Sequence, residues 1–207
     1  MSKTFVMTVA GLAAVALAAG VAARPPAAGT QPPAKDGEKP NLIVNGSFEA
    51  GPEFEGSFLP LDEDSVEVRG WVVTRGQIDL QQETNGQVKA AHGKRSLDLH
   101  GSPGFGGVKQ PFVTKVGQKY RVTFSMSGNP GVGHASVRMA VRAAGKTEVF
   151  EFDMTGVTLD DLKWETKTWE FTAADTITVL EFHTAMAPLT NAFGGPLLDD
   201  VKVVAAD

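Results

Sequence analysis

Four histidines, His92, His100, His134 and His183, are the side chains best suited to metal or acid–base chemistry, and their spacing supports neither. They are scattered, with no local ligand pattern. The chain has no GxSxG nucleophile elbow and no HExxH helix. Asp153, Glu165 and Glu181 have the chemistry of a glycosidase pair, but nothing in the sequence selects two of them. The glycine-rich run at 101–107 lacks the strand-to-helix context of a phosphate loop, and strand patterns continue on both sides of it. There is no cysteine, which excludes disulfides, thiolate metal sites and a lipid-modified N-terminal cysteine. This inventory points away from an enzyme and towards a binding or structural role.

Aromatic side chains are the usual platforms for the apolar face of a sugar ring, with polar groups holding its hydroxyls. The candidates are Trp71, Trp164, Trp169, Tyr120, Phe54 and Phe58. Trp71 and Tyr120 fall within apolar strand faces and read as core. Trp164 and Trp169 are an odd number apart, so a regular strand would turn them to opposite faces and expose one. The segment 49–64 carries Phe54, Phe58, Leu59 and Leu61 among acids and glycines. That composition suits either a recognition loop or a flap folded over one end of the domain. His134, Arg138 and Arg142 are further candidates for contacting hydroxyls or carboxylates, the alternative being a solvated sheet face. The ligand-binding set predicted here is Phe54, Phe58, Trp164, His134 and Arg138.

These side chains must be held by strands. Of the 207 residues, the first 23 read as an export signal, with Lys3, an apolar Ala-rich stretch, and small residues before Arg24. Residues 24–40 form a Pro- and Ala-rich linker that cannot bury enough apolar surface to order itself. From 41 to 207 the pattern has period two, rich in β-branched and aromatic residues, with Gly, Asn or Pro at the breaks. The clearest strand is 119–126, where Tyr120, Val122, Phe124 and Met126 alternate with polar residues. Strands over 137–141 and 147–152 follow, and the three read as a meander. Others are predicted at 41–44, 66–73, 77–80, 96–100, 108–113, 164–172, 176–184 and 198–204. One helical turn is expected at 158–163, with Thr158 as its cap. About ten short strands make a sandwich of two antiparallel sheets. The net charge of −5, with no Lys/Arg cluster, excludes nucleic acid and anionic membrane as expected partners.

The opening Asn41-Leu42-Ile43-Val44-Asn45-Gly46-Ser47-Phe48-Glu49, then Gly70-Trp71, Ser96-Leu97-Asp98-Leu99, 117–124 and Ser127-Gly128-Asn129-Pro130, and the closing Leu198-Asp199-Asp200-Val201-Lys202-Val203 occur in an order and spacing that resembles the DUF642 family and its bacterial relatives, the choice-of-anchor C proteins. Those proteins are similar to galactose-binding-like jelly rolls, which include many carbohydrate-binding modules. The resemblance implies an all-β, galactose-binding-like jelly-roll sandwich. It also implies a structural calcium ion held between Glu49 and Asp199, with backbone carbonyls near Gly46 and Ser96 and with Asp200 as a substitute ligand. The alternation of Asp199 with Val201 and Val203 places it on the inward face, where an uncompensated carboxylate is costly. The function implied is a secreted or periplasmic, non-catalytic, monomeric module that attaches to cell-wall or extracellular-matrix polysaccharide, with no membrane anchor once the signal is cleaved. The alternative is a structural or protein-interaction component of the cell envelope.

Overall fold

The computed structural model describes residues 39–101, 104–186 and 194–207. The predicted signal and nearly all of the predicted linker lie outside the described residues. Eleven strands build two antiparallel sheets. The six-stranded sheet has the order β1 (Phe58–Asp62), β3 (Gln77–Gln82), β4 (Arg95–Asp98), β11 (Pro196–Ala205), β6 (Lys119–Gly128), β9 (Glu165–Thr172). The five-stranded sheet runs β2 (Val72–Arg75), β5 (Gly107–Val113), β10 (Ile177–Thr184), β7 (Ser136–Ala143), β8 (Lys146–Asp153). Among the described residues the one helical element is a 3-10 turn at Pro130–Val132, capped by Asn129, whose side chain accepts the Gly131 N–H. The chain is all-β, a jelly-roll sandwich of two antiparallel sheets.

The core lies between the sheets and follows the period-two pattern. Tyr120, Val122, Phe124 and Met126 of β6 are buried, as are Val137, Met139 and Val141 of β7 and Leu180 and Phe182 of β10. Fully burying an aliphatic or phenyl side chain stabilises a fold by roughly 1.5–3 kcal/mol, which explains why these positions are apolar on every central strand. Trp71 is core as expected. It packs on Phe48 and Phe182, and its indole N–H donates to Asn45 O at 3.0 Å. Tyr120 is also core, stacked on Phe171 with its hydroxyl accepting the Lys115 N–H.

Several expectations change. The three strands at 119–152 are not a meander: β6 pairs with β9 and β11, whereas β7 pairs with β8 and β10. Residues 129–135 carry the chain from one sheet to the other, and a Cβ on Gly128, where β6 ends, would crowd the Met154 and Val137 side chains. The segment 158–163 is a turn closed by a bridge between Thr158 and Asp161, although Thr158 does cap it by accepting the Asp161 N–H at 3.1 Å. Residues 41–44 form no strand of either sheet. They lie along β11, with Leu42 N donating to Val203 O and Asn41 Oδ1 accepting the Val203 N–H. Of the strand predicted at 66–73 only its last residues join β2, because Gly70 adopts a positive φ of 85° and ends the extended run before it. Within 49–64, residues Phe58–Asp62 form an edge strand rather than loop.

Asp199 is not on the inward face. The β6–β11 register pairs Asp199 with Ser125 and Val203 with Val122, so the two point to opposite sides of the sheet. A bulge between Asp199 and Lys202, with Asp200 at φ 49°, inserts the residue that reverses the parity. Gly46 fits into this bulge: its carbonyl accepts the Val201 N–H, and any Cβ on it would collide with Val201 O.

Candidate functional site

Two places concentrate polar chemistry. The first is the outer face of the five-stranded sheet. Strand register aligns Val72, Lys109, Glu181, Arg142 and Thr147 in one row across β2, β5, β10, β7 and β8. The adjacent row contains Arg75, Gly107, His183, Ala140 and Val149. Gly107 and Ala140 flank His183 with minimal side chains, so the centre of the face is shallow while Lys109, Arg142 and Arg75 stand around it. The Glu181 carboxylate is fixed by Arg75 Nη2 at 2.5 Å and by the Thr74 hydroxyl at 3.2 Å. His183 is half-buried. Its pKa is pushed below the ordinary histidine value, first by burial and then by Arg75, with Glu181 opposing and Arg142 adding to the fall. Burial and the two cations favour the neutral imidazole. A 270 Å³ hollow continues the face at one end, lined by Arg142, Ala144, Asp175, Ile177, Val179 and Glu181 among others.

The second place lies on the outer side of the six-stranded sheet, under the loop 91–95. Asp199 is fully buried there, with Oδ2 accepting the His92 N–H at 2.7 Å and Oδ1 accepting the Asp200 N–H at 2.6 Å. Burial pushes its carboxyl up to about 7 against those hydrogen bonds. Glu49 reaches the same loop, and its Oε1 accepts the N–H groups of Lys94 at 2.8 Å and Arg95 at 2.9 Å. The two predicted metal residues thus converge on one short loop. Three of their four carboxylate oxygens accept backbone N–H bonds, two from the loop and one from Asp200. No group of three or more His, Cys, Asp or Glu side chains among the described residues is arranged to hold a metal ion.

The five predicted ligand-binding residues are not gathered in one place. Phe54 is half-buried with the Arg95 guanidinium 5.6 Å above its ring, and Phe58 stands 55% exposed at the start of edge strand β1. Trp164 precedes β9, half-buried, its indole N–H donating to Lys89 O at 2.8 Å. Trp169 is half-buried as well, against Phe171. His134 is half-buried in the segment before β7, with Nε2 buried. Arg138 lies exposed on the outer face of β7, sharing that face with Arg142, as expected of the pair. The sequence reading missed Arg75, Lys109 and His183 as neighbours of Arg142. Their one common signal is outward parity on strands whose pairing the sequence does not state. Of the glycosidase candidates, Glu181 is on this face, Asp153 ends β8, and Glu165 begins β9 of the other sheet.

Residues 41–204 match the family model described as "Protein of unknown function (DUF642)". The chain belongs to the DUF642 family. No curated protein matches it. Among solved structures it is similar to the TmCBM61 module in complex with beta-1,4-galactotriose, at 18% identity, 81% coverage of this chain, 99% of that one and a TM-score of 0.45. A family 16 carbohydrate-binding module is similar at 16% identity, with 79% and 99% covered and a TM-score of 0.47. A family 35 carbohydrate-binding module from Clostridium thermocellum is similar at 15% identity, with 72% and 99% covered and a TM-score of 0.43.

Proposed function

We propose that this DUF642 chain is an exported, non-catalytic module that attaches to cell-wall or extracellular-matrix polysaccharide through the outer face of its five-stranded sheet. The observation that carries the reading is the row of Lys109, Glu181 and Arg142, aligned by register on three neighbouring strands beside the shallow Gly107–His183–Ala140 row. Exposed cationic donors beside a carboxylate oriented by Arg75 and Thr74 suit sugar hydroxyls. Glu165 lies on the other sheet, and Asp153 lies at the far end of β8 from Thr147, where the Glu181 row meets it, roughly 20 Å away and beyond the reach of a glycosidase pair, which supports binding without hydrolysis. Calcium belongs to the same proposal, held by Glu49 and Asp199 so that the loop 91–95 is tied to the sheet.

The test is sedimentation of the full chain with insoluble glucans, pectin and chitin at millimolar calcium, beside a Lys109→Ala/Arg142→Ala variant. Co-sedimentation lost in the variant supports the proposal, and absence from every pellet rejects it. One observation favours a second reading, a protein-interaction component of the envelope. The exposed apolar side chains on this sheet, Val113, Val149, Ile177 and Val179, are aliphatic. A discrete protein adduct on cross-linking of whole cells, unaffected by added sugars, would select that reading.

A further inference from the structure

We infer that the outer face of the five-stranded sheet selects glycans bearing carboxylates, binding two uronate groups of one oligosaccharide at Lys109 and Arg142. The inference rests on the reading of this face as the glycan site and adds the chemical class of the ligand. Arg75, Lys109 and Arg142 surround the face; of the carboxylates that share it, Glu181 is taken by Arg75 and has a side chain only 13% exposed, while Glu151 and Asp153 of edge strand β8 accept the Ser136 and Thr155 hydroxyls. None of the ion pairs among the described residues involves Lys109, Arg138 or Arg142, and all three are exposed. Lys109 and Arg142 therefore form a strip of unpaired cations on a chain of net charge −5.

The apolar composition of the face points the same way. Neutral polysaccharides gain much of their affinity by stacking on aromatic rings. Trp71 and Tyr120 are in the core, and Trp164 and Trp169 belong to the other sheet and its approach, so this face has none of them to offer. What it offers is charge-assisted hydrogen bonding, for which the guanidinium fork of Arg142 and the ammonium of Lys109 are suited to carboxylate. The two residues are separated by two strand steps, about 10 Å. That separation fits successive charged groups along an oligomer rather than a monosaccharide.

The experiment is calorimetric titration of the full chain with tri-galacturonate, its methyl ester, a sulfated trisaccharide of the same backbone, and neutral oligosaccharides. We expect tri-galacturonate to bind at least about tenfold more tightly than its ester. The preference should weaken as salt rises from roughly 50 to 300 mM, because the Debye length shortens to less than the span of the strip. Lys109→Gln/Arg142→Gln should lose about tenfold in acid binding while Val113→Ser does not, with the melting temperature of each confirming that it folds. Equal binding of acid and ester overturns this inference and leaves the glycan reading standing. Tighter binding of the sulfated sugar overturns the carboxylate assignment. Failure of every oligosaccharide, neutral ones included, overturns the glycan reading itself.

Discussion

Replacing Asp98 by asparagine should make this protein less sensitive to rising pH, the opposite of what removing an ordinary surface carboxylate does. Asp98 ends β4 and is fully buried. Its Oδ1 accepts the N–H groups of His100 at 2.9 Å and Gly195 at 3.1 Å, and its Oδ2 accepts Asn129 Nδ2 at 2.8 Å. It thereby ties together the ends of β4, β6 and the segment entering β11. Asp79 faces it from β3. Burial, with a smaller contribution from Asp79, pushes the Asp98 carboxyl up to about 7 despite the three donors. Because the folded state then holds its proton more tightly than the unfolded chain, stability is greatest below the unfolded value near 3.8. It declines as pH rises and levels off above about 7. Between pH 5 and pH 8 this group alone should remove on the order of 2–3 kcal/mol. The amide that replaces the carboxyl in Asp98→Asn cannot ionise. It keeps an oxygen for the two backbone donors and loses the bond from Asn129, at about 1 kcal/mol. Relative to the parent, the variant should therefore gain roughly 2–3 kcal/mol over that pH range, or on the order of 5–10 °C in Tm for a domain of this size. Urea unfolding followed by tryptophan fluorescence at pH 5, 6, 7 and 8 measures it. A stability difference that is the same at pH 5 and pH 8 would refute the reasoning, since it would mean that the three donors keep Asp98 ionised throughout.

Calcium should raise the melting temperature of the full chain and EDTA should reverse it, with the shift abolished in Glu49→Ala and Asp199→Ala; an unchanged melt leaves the two carboxylates as clamps on the loop 91–95 alone. Gly46→Ala should cost at least about 3 kcal/mol or prevent folding, because the new methyl meets Val201 O inside the β11 bulge; a urea midpoint near that of the parent would contradict the packing. Trp71→Phe should cost about 1–3 kcal/mol through the lost bond to Asn45 O and the smaller ring, read from the chemical unfolding midpoint.

Much of the fold was legible because its information is local. Period-two runs over 119–126, 147–152, 176–184 and 198–204 each became a strand within a few residues of the expected bounds, since an apolar face on a pleated chain needs no knowledge of its partner. The edge strand Phe58–Asp62 was illegible for the opposite reason. Its Pro60 and scattered acids weaken the pattern, and pairing with β3 on one side is what orders it. Among the site residues, Arg138 and Arg142 were recognisable as an outward pair on one strand. Arg75 and Lys109 looked like ordinary charges between apolar neighbours.

By itself the sequence determined that this chain is built of short strands, that its core includes Trp71, Tyr120 and Phe124, and that no local catalytic motif is present. Only the tertiary structure decided which strands are neighbours. It separated β6 from β7 into different sheets, turned Asp199 outward through the bulge at Asp200, and aligned residues 75, 109, 142, 181 and 183 on one face. The physical reason is that side-chain alternation assigns a residue to a face, whereas register and sheet order are settled by contacts between segments far apart in the chain. A binding surface assembled across five strands exists only once those contacts have formed.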